Sequence, residues 1–430
     1  MLVESLTESQ QPLPKRSPSA ILERYLAVRH QTDTLCDPLE VEDYVVQSME
    51  DASPVRWHIA HTTWFFETFV LRPYLSGYTE YNTRFQYLFN SYYVQAGERF
   101  SRPDRGMLSR PTVREIGAYR SHVDHHMTEL LSSVSDDEVL RVVEIGLNHE
   151  QQHQELILTD LKHMLSRNPL YPAYRNIESS SDQDPGAIEW TRFDGGLVEV
   201  GTNGPGFFFD NEGPRHKVYL EPFKLANRLV TNGEFVEFVE AGGYDHAPYW
   251  LSEGFATRER EGWTCPPYWS KRDDEWHRFT LGGLQPVNPN EPVSQISYFE
   301  ADAFARWAGA RLATEFEWEH ASMTVSHDGN FVDNGKYSVE TADPGRSSEL
   351  QGMFGNLWEW TRSQYSPYPG YEAEPGALGE YNGKFMSNQF VLRGGSFATA
   401  RSHIRATYRN FFPAYARWQF TGIRLARDVR

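Results

Sequence analysis

The 430-residue chain has only two cysteines, Cys36 and Cys265, 229 positions apart. That count excludes a disulfide-stapled scaffold and a cysteine-based zinc site. No apolar run reaches 18 residues, so no transmembrane helix and no membrane partner are expected. Basic residues are in deficit, 41 Lys and Arg against 59 Asp and Glu, a net charge of −18. Non-specific nucleic-acid binding relies on basic surface that displaces counterions, so no nucleic-acid partner is expected either. The first 18 residues are polar, with Glu4, Glu8 and Lys15-Arg16, and lack the apolar centre of a signal peptide. They are expected to form a disordered leader on a cytoplasmic protein. Aromatic residues are not scarce: 12 Trp, 23 Tyr and 26 Phe make up 14%. Packing and a small-molecule site would both use them. With 39% hydrophobic and 23% charged residues the chain is globular. Its length suits two or three domains.

Residues 19–167 read as a four-helix bundle. Ser19 precedes the amphipathic AILERYLAVRH. Ser53 and Pro54 supply an N-cap and a first helical residue for VRWHIAHTTWFFETFVL. Pro111 opens TVREIGAYRSHVDHHMTELL in the same way. Ser135 and Glu138 fit a capping box ahead of VLRVVEIGLNHEQQHQELILTDLKHML. That last helix should stop before Asn168-Pro169. The connection over 73–110 is long for a compact domain, and loops of that length usually carry function or are disordered. Residues 168–189 are polar and turn-rich, a linker. From 190 to 430 Gly and Pro are frequent and strands look short, which predicts an irregular α+β domain rich in loops.

The chemistry-bearing pattern lies in the fourth helix. His149 and His153 are four apart, so they share a face and can hold one metal ion. The same string matches the zinc-protease pattern H-E-x-x-H, but its extended form with a third ligand is absent. His58 and His61 on the second helix also share a face, and either can complete a three-histidine site. Such a site leaves coordination positions open, which suits zinc hydrolysis or iron–oxygen chemistry. His125 and His126 are adjacent, point in different directions and are poorer candidates.

SPVRWHIAHTTWFFE (53–67) together with HEQQHQELILTD (149–160) resembles the N-terminal DinB-like domain of the ergothioneine-biosynthesis sulfoxide synthases. The second domain carries FDGGLVEVG (193–201), DNEGPRHKVYL (210–220), GNLWEWT (355–361), VLRGGSF (391–397) and TGIRLAR (421–427). These pieces resemble the formylglycine-generating-enzyme-like, C-type-lectin-like fold. True formylglycine-generating enzymes use cysteines near the C-terminus as copper ligands, and no cysteine follows Cys265 here. The domain is therefore expected to wall an iron site rather than perform that oxidation.

The resemblance implies a multidomain α and α+β protein that holds non-haem Fe(II). Such enzymes use O₂ to join a thiol to C2 of the hercynine imidazole and oxidise the sulfur. By position the implied ligands are His61, preferred over His58, with His149 and His153. Glu67 and Glu155 are expected as supporting carboxylates, the usual partners of a ligand's second nitrogen. Tyr93 or Tyr92 is the implied proton donor. Arg102 and Arg105 fall where the family binds the thiol substrate's carboxylates, which a guanidinium fork matches. Gln152 fits the glutamine that bonds the substrate imidazole, and Asn410 the asparagine at its trimethylammonium end. Phe411 and Phe412 are implied pocket walls. The mycobacterial type has Asn-Trp-Asp where this chain has Asn410-Phe411-Phe412, so cysteine is favoured over γ-glutamylcysteine as donor. The alternatives are a selenoneine-forming relative, an ovothiol-type synthase and a DinB-like metal-dependent thiol S-transferase. A zinc protease and a non-catalytic binding module stand further off.

Overall fold

A computed structural model describes residues 17–177, 182–380 and 382–429. The first helix, α1 (Pro18–Cys36), starts two residues earlier than expected. Ser17 caps it by accepting from the Ala20 N–H, and Pro18 takes the first helical position. The expected leader therefore loses Pro18 to α1 and Ser17 to its cap, and residues 1–16 lie outside the described residues.

Helix α2 (Val55–Phe66) begins with Pro54 in the cap position. Ser53 does not cap it. Its N–H donates to Asp160 and its hydroxyl accepts from Arg105, so the segment is pinned by the neighbouring helix and loop instead. All twelve residues of α2 are buried, and the helix continues through a π-helical turn, Glu67–Leu71. Helix α3 (Val113–Leu131) is capped by Thr112, not opened by Pro111. Thr112 and Glu115 form a reciprocal capping box. Helix α4 (Asp137–Ser166) is capped by Asp136, which accepts from the Glu138 N–H at 2.9 Å. The capping box expected from Ser135 is thus absent. Asp136 is an equally good cap, and Glu138 is turned outward to Arg141. The stop before Asn168-Pro169 is as expected.

Helix α4 is the central element, with α1 and α2 against it. Gly146 lets α2 come close: a Cβ there would sit 2.6 Å from the Phe66 ring. Glu150 of the HEQQH string turns into the bundle, where Arg29, Arg120 and Thr32 donate to it. Burial alone would raise its pKa, but the two guanidinium groups outweigh burial and hold it at about 2. Glu150 is thus a core residue whose carboxylate is taken up by Arg29, Arg120 and Thr32, and it is not placed as the general base of a zinc protease. The 73–110 connection is built of short turns, Phe85–Phe89, Val94–Ala96 and Arg102–Met107 among them.

Among the described residues the second domain holds two four-stranded sheets, one two-stranded and one three-stranded. The sheet facing the bundle runs β3-β2-β1-β4, with β1 (Trp358–Gln364), β2 (Gln389–Arg393), β3 (Asn410–Pro413) and β4 (Thr421–Gly422). Its edge strand β3 pairs antiparallel with β2, Val391 opposite Phe411. A large aromatic core including Phe223, Phe235, Phe304, Trp318 and Trp360 lies behind it. Buried ion pairs lock the framework: Arg393 and Arg409 both bind Glu315, and Arg424 binds Glu359.

The two halves meet along α4. Glu155 projects from it and accepts from Trp358 Nε1, Ser396 Oγ and Thr399 Oγ1, each at 2.7 Å. Over 168–177 the linker is packed rather than free. The Tyr174 hydroxyl donates to the Leu35 carbonyl, and the Tyr174 N–H donates to the Leu281 carbonyl of the second domain.

Candidate metal centre and substrate cavity

Helical spacing delivers three imidazoles to one point. His61 comes from α2, His149 and His153 from adjacent turns of α4, and their ligand atoms all lie within 4.8 Å of one another. All three are buried. Burial, reinforced by the neighbouring rings, pushes His61 and His153 well below the ordinary histidine pKa, and burial pushes His149 down to about 3. They are neutral, the form that binds metal.

Each ring is held by what surrounds it. His61 Nδ1 lies 2.5 Å from the Phe89 carbonyl, so it carries the proton. Its Nε2 is buried with no hydrogen-bond partner among the described residues. An orphaned lone pair among converging imidazoles is what a metal ion would satisfy. Trp57 stacks on the His61 ring, with centroids 4.6 Å apart. His153 Nδ1 lies 2.8 Å from His58 Nδ1, and His58 Nε2 lies 3.0 Å from Asp160 Oδ2. His58 is thus the partner of a triad member, and Asp160 orients His58. Neither expected carboxylate serves there. Glu67 accepts from Tyr78 and Tyr119, and Glu155 is spent on the domain seam. Asp160 escaped sequence reasoning, although it sits seven residues after His153 on the same helical stripe.

The triad opens at His153 onto a cavity of about 780 Å³ between the domains. Arg102, Arg105, Gln152, Asn410, Phe411 and Phe412 all line it. The arginines differ. Arg102 is exposed and donates to the Asp51 carbonyl. Arg105 is buried, its guanidinium 3.3 Å from the Trp57 ring centroid, and donates to Ser53 and Ser91. Burial and the nearby Arg102 disfavour its charge. A guanidinium keeps its proton in proteins, so a carboxylate beside it would relieve that penalty. Gln152 donates to the Tyr408 hydroxyl at 2.6 Å. Phe411 stacks on Tyr365 at 4.0 Å between centroids.

The tyrosines also differ. Tyr92 lines the cavity. Tyr93 is fully buried, packed on Trp64, Phe65 and Phe69. The second domain grips this loop, since Glu380 accepts from the Val94 and Gln95 N–H groups and Lys384 donates to the Tyr92 carbonyl. His126 lies outside the cluster, its Nδ1 on the His122 carbonyl and its ring beside His125.

Comparison with known proteins agrees with this two-part construction. The DinB superfamily profile matches residues 24–157, and the sulfatase-modifying factor enzyme 1-like domain matches 179–348 and 338–429. The hercynine oxygenase of Mycobacterium tuberculosis is 30% identical over 352 residues, covering 77% of this chain and 81% of that protein. The chain belongs to the hercynine oxygenase family. The hercynine oxygenase of Mycolicibacterium thermoresistibile is 29% identical over 407 residues, 88% of each chain. Ergothioneine biosynthesis protein 1 of Schizosaccharomyces pombe is 28% identical over 232 residues, 52% of this chain and 28% of that protein. Among the described residues no helix is long and apolar enough to cross a membrane. As a hercynine oxygenase relative, the chain is built for a metal-dependent oxygenation, with the histidine triad able to hold the metal.

Proposed function

We propose that the protein is a hercynine sulfoxide synthase of ergothioneine biosynthesis. It would take hercynine, a thiol and O₂, with Fe(II) held by His61, His149 and His153. The observation that carries this reading is the convergence of three buried, neutral imidazoles at a point where His153 opens onto a cavity that both domains line. The reaction balances without another reductant. The C2–H and S–H bonds break and a C–S bond forms. One oxygen atom becomes the sulfoxide and the other leaves as water with the two hydrogens. Bound ferrous iron supplies the electronic route by which ground-state O₂ reacts with closed-shell partners.

The chain's own residues do the rest. Three protein ligands leave room at the centre for more than one reactant, so the two organic substrates meet as neighbours rather than by collision. Arg105, with Arg102 at the mouth, holds the donor's carboxylate, and the buried guanidinium gains a counter-charge in doing so. Gln152 holds the imidazole and Asn410 the trimethylammonium end. Phe411 and Phe412 present ring faces that attract a quaternary ammonium. Of the paired tyrosines, Tyr92 is the proton donor, because it reaches the cavity while Tyr93 packs behind it. Free cysteine is the preferred donor, since Phe412 offers no polar group to a second carboxylate or amide. A ferrous site and two free thiols suit a reducing compartment, the cytoplasm.

The test is direct. The Fe(II)-loaded protein is incubated in air with hercynine and cysteine, γ-glutamylcysteine or a selenol donor, and products are read by mass spectrometry. Hercynylcysteine sulfoxide is expected, with cysteine as the best donor. Absence of a sulfur or selenium adduct with every donor refutes the reading.

A further inference from the structure

Gln152 is held by a chain of hydrogen bonds that crosses the domain seam. We infer that Asn148, His403 and Tyr408 form a relay of fixed direction that commits the Gln152 N–H and leaves its carbonyl as the group available to a ligand. The site then demands a ring N–H from its ligand at that point. The relay rests on the hercynine reading for the identity of that ligand, and its proton order can be worked out from the structure alone.

The order starts in the bundle. Asn148 Nδ2 donates to the Glu144 carbonyl at 2.9 Å, which leaves Oδ1 as the atom facing the second domain. His403 Nδ1 lies 3.1 Å from that oxygen. An amide oxygen only accepts, so Nδ1 carries a proton. His403 is buried near Arg405, and both burial and that charge oppose a second ring proton. Its Nε2 is therefore bare. The Tyr408 hydroxyl lies 3.0 Å from Nε2 and must donate to it. With its proton committed, the Tyr408 oxygen can only accept from Gln152, and Gln152 Nε2 lies 2.6 Å away. The Gln152 amide cannot turn over without setting its oxygen against another acceptor. Its Oε1 is left buried, with no hydrogen-bond partner among the described residues, on a residue that lines the cavity and precedes a triad member in sequence.

An unsatisfied buried acceptor selects for a ligand that donates. A neutral imidazole has one ring N–H and one bare nitrogen, so the relay also fixes which nitrogen is left over, the one free to face the metal. Tyr408, His403 and Asn148 are positioning residues: none is required to touch the substrate.

Two measurements test this. In ¹⁵N-histidine-labelled protein, with diamagnetic zinc in the triad and no substrate, His403 is assigned by its loss in His403→Gln. Protonated Nδ1 and bare Nε2 are expected, and the opposite tautomer or an imidazolium overturns the relay whatever hercynine does. Calorimetry on the same protein then compares hercynine with its two ring-N-methylated forms. The wild type is expected to favour hercynine over at least one of them by about 5- to 150-fold, the range for one buried acceptor satisfied or stranded. Tyr408→Phe frees the amide and brings that ratio to within about threefold of unity. His403→Leu, which lets the Tyr408 hydroxyl turn to Gln152, does the same by a second route. A wild-type ratio in either folded variant overturns the inference. If His403 shows the expected tautomer but hercynine does not bind, the functional reading fails and the proton order stands.

Discussion

Asp160→Asn separates charge from shape in the support of His153. One oxygen, Asp160 Oδ2, accepts both the Ser53 N–H at 2.8 Å and the His58 nitrogen at 3.0 Å. An asparagine oxygen in that place accepts both bonds, so the geometry survives and the fold loses less than about 1 kcal/mol. The negative charge is lost. Through His58 that charge makes His153 a better donor; a group bonded directly to a ligand histidine is worth about 10- to 100-fold in metal affinity, an upper range for Asp160, which stands one residue further back. That is about 1.4–2.7 kcal/mol at 25 °C. Asp160→Ala removes the acceptor as well and strands two buried N–H groups, adding about 1–3 kcal/mol of destabilisation for each. The assay is anaerobic titration of the metal-free protein with Fe(II), paired with denaturant unfolding. The expected pattern is weak affinity with near-native stability for Asn, and losses in both for Ala. Native Fe(II) affinity in Asp160→Asn would refute the argument that the carboxylate acts through His58 on the metal.

Four other outcomes are expected. His149→Ala abolishes stoichiometric iron binding, read by elemental analysis after desalting, and retained iron would contradict the triad. Tyr92→Phe diverts turnover from sulfoxide to plain thiol oxidation, seen as cystine in place of adduct, and Tyr93→Phe leaves the product ratio closer to wild type. Glu155→Ala strands the Trp358 indole N–H and opens the seam, costing about 2–4 kcal/mol in unfolding experiments; a loss below 1 kcal/mol would show that the seam does not depend on it. Glu315 is the acid test. Burial raises its pKa, but Arg409 and Arg393 outweigh burial and hold it below the ordinary carboxylate value. Its stabilisation is present above the unfolded-state value of about 4.3 and is lost as pH falls through the lower folded value. Glu315→Gln should cost about 3–5 kcal/mol near pH 7 and progressively less in acid.

The triad was legible because two of its members share one helix at a spacing that fixes their face, and the third comes from a motif with few positions to choose between. The helix starts were less legible. Ser, Thr and Asp stand near every start, and tertiary contacts decide which one caps, as when Arg105 and Asp160 claim Ser53. The roles of His58 and Glu155 were hidden for another reason. Each depends on a partner more than ninety residues away, Asp160 for one and Trp358 for the other, and no local spacing encodes that. The two tyrosines are adjacent, so only the path of the backbone decides that Tyr92 reaches the cavity and Tyr93 the core. Tyr408 and His403 carry no signal at all until the second domain is placed against α4.

The strand β3 has a neighbour on one side only. It carries Asn410, Phe411 and Phe412, while the histidine triad belongs wholly to the bundle. Mutations along that border strand can therefore accumulate without loosening the metal centre or interrupting the interior of the sheet. Under the proposed reading, recognition of the sulfur donor can change at Phe412 on this border strand, while the residues that hold the metal are inherited intact.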